Sequence, residues 1–182
     1  MSELKQDPQL TGSRRLHYKM GTRQEEGFRK KIYTDPSDKG NKAVGTGFNL
    51  DDPVTAAMVP KEVREGKRGI TRAEDAVTYK NRMDLAKKDA ASYLGSKTYK
   101  ALDQDRKDVI NDMSYNMGLP SLSSFSDLKA AIIAKDYDTA AKEILDSDYA
   151  RKDVPARAKR NAEKMRGKER ELETEILRQA IE

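Results

Sequence analysis

The sequence predicts a mixed α+β chain, mostly α: a small N-terminal lobe with a β-hairpin, a long inter-lobe helix and an all-helical C-terminal lobe. Three observations lead there. Residues 31 to 50 carry short apolar runs separated by Pro, Asp, Gly and Asn, which is strand-and-turn chemistry. From residue 71 onward the apolar residues recur at three- and four-residue spacing. No run approaches the ~18 apolar residues of a membrane span, and mean hydropathy is −0.93.

Taken in order, residues 1–12 carry a proline and little periodicity, and are expected to form an arm. The first twenty residues are polar and basic with no apolar segment, so a secretory signal is not expected. Residues 13–70 form the predicted N-terminal lobe. A first helix from Ser13 to Glu26 places Leu16 and Met20 four apart, with Gly27 as its stop. "KIYTD" and "KAVGTGFNL" then read as strands joined by "PSDKGN", and "DDPVTAAMVPKEVREGKRG" as loop and short helix. The inter-lobe helix, 71–94, opens on a Thr71-x-x-Glu74 capping box and continues through Ala76, Tyr79, Met83, Ala86, Ala90 and Leu94. In the helical lobe, 95–167, a helix over about 101–117 carries Leu102, Val109, Ile110, Met113 and Met117, and Gly118-Leu119-Pro120 ends it. Ser126 is expected to cap "DLKAAIIAK", "YDTAAKEIL" forms another helix, and Asp153 caps a last one with Pro155 in its first turn. Residues 168–182 place Leu172, Ile176 and Ala180 at four-residue spacing, an amphipathic extension able to dock on a partner.

Composition narrows the chemistry. The chain has no cysteine, so thiol nucleophiles, disulfides and Cys-based zinc sites are excluded. Its one histidine, His17, is read as an ordinary surface or packing residue, so no metal site and no cofactor are expected. The net charge of +5 favours anionic partners such as envelope polymers. Because 36 bases are interspersed with 31 acids, the balance argues for a solvated surface against a nucleic-acid patch.

Two carboxylates stand out in the opening stretch. Glu26, in the last turn of the first helix, faces the negative end of the helix dipole, which disfavours its charged form. That is a setting for a general acid. Asp35, before Pro36 and a turn, is placed in a wetter and more polar environment. Carboxylates in contrasting environments divide acid and base roles between them in glycosidases. Periodicity alone does not choose between Glu25 and Glu26.

The wider pattern resembles the small lysozymes (muramidases) of tailed bacteriophages. "EGFRKKIYTD" followed by a glycine turn and "VGTG" is similar to that family's Glu-Gly, Tyr-x-Asp and Gly-x-Gly strand. "GITRAEDAVTYKNRMDLAKKDA" resembles its long inter-lobe helix, "DVINDMSYNMG" its central buried helix, and "KDYDTAAKEILDSDYARKDVPARAKR" its C-terminal run. Residues 22 to about 166 are covered in order.

The resemblance implies a lysozyme-like fold and hydrolysis of the β-1,4 bond between N-acetylmuramic acid and N-acetylglucosamine. It makes Glu26 the proton donor and Asp35 the second carboxylate, which activates water. Arg157 matches an arginine that pairs with the catalytic glutamate, and Tyr33 a tyrosine beside that pair. Asn49, Tyr115 and Asn116 match saccharide-lining positions. The partner implied is bacterial peptidoglycan, with other virion proteins reached through the arm or the C-terminal helix. The protein is then expected in the host cytoplasm until release to the wall, or inside the phage particle, as an endolysin or a virion-associated lysozyme.

The pattern also departs from the family. A family threonine that helps place the attacking water is Ala43 here, Thr46 lies three residues on, and the frequent histidine at position 48 is Phe48. Loss of one oriented hydrogen bond raises the barrier by about 2–4 kcal/mol. The alternative reading is therefore a weakened or inactive lysozyme-like protein that grips the wall without cutting it.

Overall fold

The structure is a computed structural model that describes residues 28–35, 40–153 and 155–167. The expected arm, the first helix with Glu26 and His17, most of the "PSDKGN" turn and the C-terminal extension lie outside the described residues. The chain divides into two compact units, residues 1–84 and 85–182, with the division inside a long helix. Among the described residues the fold is α+β and mostly α, as the sequence predicts, and no helix is long and apolar enough to cross a membrane.

Unit 1 holds a three-stranded antiparallel sheet in the order β1 (Arg29–Thr34), β2 (Lys42–Gly45), β3 (Phe48–Asn49). Tyr33 pairs with Ala43 and Thr34 with Lys42, while Ala43 pairs on its other side with Asn49 and Val44 with Phe48. Directly opposed residues share a face, so one face carries Val44 and Phe48, both buried. Two short helices follow, α1 (Pro53–Met58) and α2 (Lys61–Arg64). Asp52 caps α1, accepting from the Val54 and Thr55 amides at 3.3 and 3.0 Å, and Pro53 fits the first helical position, where an N–H would have no partner. Ala56, Val59, Val63 and Ile70 are buried along this segment.

Helix α3 runs from Arg72 to Leu94 and starts where the sequence predicts. The Thr71 amide donates to Glu74 Oε2 at 2.9 Å and the Glu74 amide donates to Thr71 Oγ1 at 3.2 Å, the reciprocal bonds of a capping box. Arg68 adds two bonds to the same carboxylate, at 2.9 and 2.7 Å, and these with the Thr71 bonds pull the Glu74 pKa down to about 2.

Unit 2 is helical. After α3 come α4 (Ser96–Ala101), α5 (Gln104–Ser123), α6 (Ser126–Ala134), α7 (Tyr137–Leu145), a π-type turn at Tyr149–Asp153 and α8 (Pro155–Arg166). The core gathers Leu102, Val109, Ile110, Met113, Leu122, Leu128, Ile132, Ile144 and Met165 with small residues Ala140, Ala141, Ala158 and Ala162. The sequence predicts one helix starting at about 101; instead a separate α4 ends at Ala101, and Asp103 caps α5 by accepting from the Arg106 amide at 2.9 Å. The Gly118 stop is real, since its φ of 73° and ψ of 166° break the helical path inside α5, and a short helical stretch resumes beyond it. Ser126 is not a cap. The cap position is Phe125, with no side-chain bond to the helix, and Ser126 is already inside α6. Asp136 caps α7 through the Thr139 amide at 3.0 Å, and Pro155 opens α8.

Candidate active site

In unit 1 the site is built by backbone geometry. The Asp35 amide donates to the Asn41 carbonyl at 2.8 Å and the Gly40 amide donates to the Asp35 carbonyl at 3.0 Å. Asp35 thus opposes two residues of the neighbouring strand. Gly40 has φ +79°, and an extra left-handed glycine at such a place is a β-bulge, a device that re-aims a side chain and ends a ladder. Any side chain at position 40 would strain that conformation. From Asp35 back to Tyr33 the ladder keeps one register, which shifts only between Tyr33 and Arg29, so Asp35 and Tyr33 share one face with Asn41, Ala43 and Asn49. This is the face opposite Val44 and Phe48.

Each member has a definite setting. Asp35, Tyr33, Asn41 and Asn49 are half-buried, while the Ala43 methyl is 2% exposed. The Arg29 guanidinium lies over the Tyr33 ring, 4.3 Å from its centroid. Asn49 Oδ1 accepts from the Asp51 amide at 2.8 Å and the Asp52 amide at 3.3 Å, so both lone pairs of that carbonyl serve the turn after β3. The turn is tied back to β2 by the Lys42 amide, which donates to Asp51 Oδ2 at 2.8 Å.

Thr46, expected as a supporting residue, does not join this face. It is buried in the turn between β2 and β3, where its amide donates to Asp75 Oδ1 at 2.9 Å and its hydroxyl lies 3.3 Å from the same oxygen. Asp75, buried in the first turns of α3, thereby fixes the β2–β3 turn. Gly45, at φ +68°, passes so close that a Cβ there would overlap the Asp75 carboxylate. These bonds to Asp75, made from a turn beyond the end of β2, are the physical reason Thr46 does not stand in for the hydroxyl that Ala43 lacks.

In unit 2, Arg157 is held by side chains. It is buried on α8, 6% exposed. Its Nη1 donates to Asn116 Oδ1 and lies 4.0 Å from Asp112 Oδ1. The Asn116 amide nitrogen donates to the Asp112 carbonyl at 2.6 Å, fixing which end of that amide meets the guanidinium. Asn161 Nδ2 donates to Asp112 Oδ2 at 2.9 Å and lies 3.3 Å from the Tyr149 hydroxyl. Burial raises the Asp112 pKa, opposed by Arg157 and by the Asn161 bond, and burial likewise raises that of Tyr149.

Of the residues the sequence singled out, Asp35, Tyr33, Ala43 and Asn49 therefore share one face of the unit 1 sheet. Arg157 and Asn116 are bonded to each other in unit 2, with Asn116 exposed and Tyr115 half-buried beside it on α5. Glu26 lies outside the described residues. A pocket of about 440 Å³ in unit 2, with Phe125, Asp127, Glu143, Asp148 and Tyr149 in its wall, takes in none of them. Among the described residues no group of three or more His, Asp or Glu is disposed to hold a metal.

Four residues escaped the sequence reading: Asn41, Asp75, Asp112 and Asn161. Asp112 had a signal, since it stands in the sequence among the apolar Val109, Ile110 and Met113. Asp75 and Asn161 had none stronger than polarity at a helical position. Asn41 could have been found by counting back from Ala43 along the strand.

The family model for phage lysozyme matches residues 23–164. No curated protein matches the chain.

Proposed function

The chain belongs to the phage lysozyme family, and on that premise we propose that it hydrolyses the β-1,4 bond between N-acetylmuramic acid and N-acetylglucosamine in peptidoglycan. The observation that carries this reading is the placement of Asp35. A glycine bulge presents it on the same sheet face as Tyr33, Ala43 and Asn49, half-buried and within reach of water.

In the proposed reaction Glu26 gives its proton to the glycosidic oxygen as the bond to the anomeric carbon breaks. Asp35 takes a proton from a water whose oxygen bonds to that carbon. Glu26 ends ionised and Asp35 protonated, and exchange with solvent resets both. Arg157 serves as the counter-charge for the acid, and Tyr115 and Asn116 contact the saccharide. Attack by water on the face opposite the leaving group gives inversion. The basic surface favours an anionic wall. Delivery as an endolysin or inside the particle both fit a chain with these properties.

A second reading has one observation in its favour: the family threonine position is a buried methyl, Ala43. It holds that the protein binds wall glycan without cutting it.

Digestion of purified peptidoglycan, followed by mass spectrometry, separates the two. Fragments with reducing N-acetylmuramic acid ends, lost in Glu26→Gln and Asp35→Asn, are the expected result. Wall binding without fragments from the native protein would replace the first reading by the second.

A further inference from the structure

We infer that Asn41 is a positioning residue: its side-chain carbonyl accepts a hydrogen bond from the second O–H of the water that Asp35 activates, the task that Ala43 cannot perform. The inference rests on the hydrolytic reading above and specifies the same site further.

A nucleophilic water must be held by both of its O–H bonds if a lone pair is to point at the anomeric carbon. Asp35 accepts one. A second acceptor is needed on the same face, within hydrogen-bond reach of the same point, because a reacting atom misplaced by about 1 Å slows a reaction ~100-fold. The Asp35 face has few candidates. Ala43 ends in a methyl group. Thr46 turns to the other side and bonds to Asp75. The Asn49 carbonyl already accepts the amides of Asp51 and Asp52. The Tyr33 ring lies under Arg29, a cation that makes the phenol a poorer acceptor.

Asn41 meets the requirement. The ladder bond from the Asp35 amide to the Asn41 carbonyl, 2.8 Å, sets the two residues opposite each other, and opposed side chains on one face have Cβ atoms about 4.5–5.5 Å apart. One water bridges two oxygens carried at that spacing. Asn41 is half-buried, and its bonds to the described residues run through its backbone, leaving the side-chain amide to the face. It also follows Gly40 directly, so the bulge that aims Asp35 fixes Asn41 in the same act. The deletion of a hydroxyl at position 43 is thus matched by an amide two residues earlier on the same strand and the same face.

The test is turnover and half-saturation on purified peptidoglycan, read as reducing ends, for the native chain, Asn41→Ala, Asn41→Ser and Asn41→Ala combined with Ala43→Thr, with Glu26→Gln and Asp35→Asn alongside. Asn41→Ala should lower turnover by about 10- to 100-fold with half-saturation unchanged. Asn41→Ser, which keeps an oxygen acceptor, should retain more, and Ala43→Thr should recover activity in the Asn41→Ala background by supplying a hydroxyl on the same face. Turnover within about twofold of native, or a drop that Ala43→Thr does not recover, would overturn the inference. If native activity is lost in Glu26→Gln and Asp35→Asn while Asn41→Ala is unaffected, the hydrolytic reading stands and only the role of Asn41 falls. If the native chain releases no reducing ends, both fall together.

Discussion

The two units hold their charged groups by opposite means. In unit 1, Asp35 is aimed by main chain: a ladder, a bulge at Gly40 and a turn locked to Asp75. Asp35 as a residue is half-buried. In unit 2, Arg157 is aimed by side chains, and both it and Asp112 are nearly sealed from solvent, at 6% and 3% exposure. A site set by main chain depends on which residues tolerate its φ and ψ angles. A site set by a buried polar network depends on every member being present, because each missing partner leaves a charge or a donor without water. The two units should therefore fail differently under mutation.

The largest expected effect is in unit 2. Asp112→Ala leaves the Arg157 guanidinium buried beside an empty position and should destabilise the protein by about 3–5 kcal/mol, measured by urea unfolding. Removing the charge of both partners, as Asp112→Leu with Arg157→Met, should cost less than Asp112→Ala alone, since neither charge is then stranded. A double variant that is worse than Asp112→Ala would break the comparison, showing that packing and not charge dominates the cluster.

The next effect belongs to the backbone of unit 1. Gly45→Ala combines a left-handed φ with overlap of the Asp75 carboxylate and should cost about 2–3 kcal/mol. Gly40→Ala meets only Thr34 Cγ2 at 3.8 Å, so the cost reduces to the conformational strain of about 1–2 kcal/mol. Its effect on catalysis should be the larger of the two, because the bulge aims Asp35 and Asn41. Stability and turnover measured on both variants should rank them in opposite order. The same order in both assays would mean that the bulge does not position the site.

Proton linkage sharpens the contrast. Burial lifts the Asp112 pKa above its ordinary 3.8, so between that value and the raised one the folded state binds more protons than the unfolded. Stability should fall as pH rises through this window. Glu74 is the reverse case: lowered from 4.5 to about 2, its contribution is complete above 4.5 and lost as pH falls toward 2. Thermal midpoints followed from pH 2 to 7 should flatten above pH 4 in Asp112→Asn and flatten below 4.5 in Glu74→Gln. An unchanged profile in Asp112→Asn would show that the cluster stays hydrated enough to ionise at no penalty.

Legibility in the sequence followed the same division. The mostly helical fold class, the strands, the Thr71 box and the Gly118 break were readable because each is a local pattern of period, turn residue or cap. The residues that share a face with Asp35 were half readable: Tyr33, Ala43 and Asn49 came through the resemblance, while Asn41 needed the register, which depends on where the bulge falls. The Thr46–Asp75 lock spans 29 residues and the Asp112–Asn161 bond 49. Contacts at that separation leave no mark in local spacing, so neither was foreseen. Ser126 shows the converse error, since a serine before an apolar run has the composition of a cap, yet the chain at Phe125 already supplies that position through its backbone.

The smallest effect tests that last point directly. Thr71 accepts from the Glu74 amide and donates to its carboxylate at 2.9 Å, so Thr71→Ala removes one half of a reciprocal cap and should cost about 1 kcal/mol. Ser126 makes no capping bond, and its hydroxyl reaches only the neighbouring Asp127 carboxylate at 3.4 Å. Ser126→Ala should stay within about 0.5 kcal/mol of the parent, as surface substitutions without a structural role do. Paired urea curves on the two variants suffice. Equal losses would mean that α6 draws on Ser126 for its start after all. A neutral Thr71→Ala would mean that Arg68, through its bonds to Glu74 at 2.9 and 2.7 Å, anchors the head of α3 without the threonine.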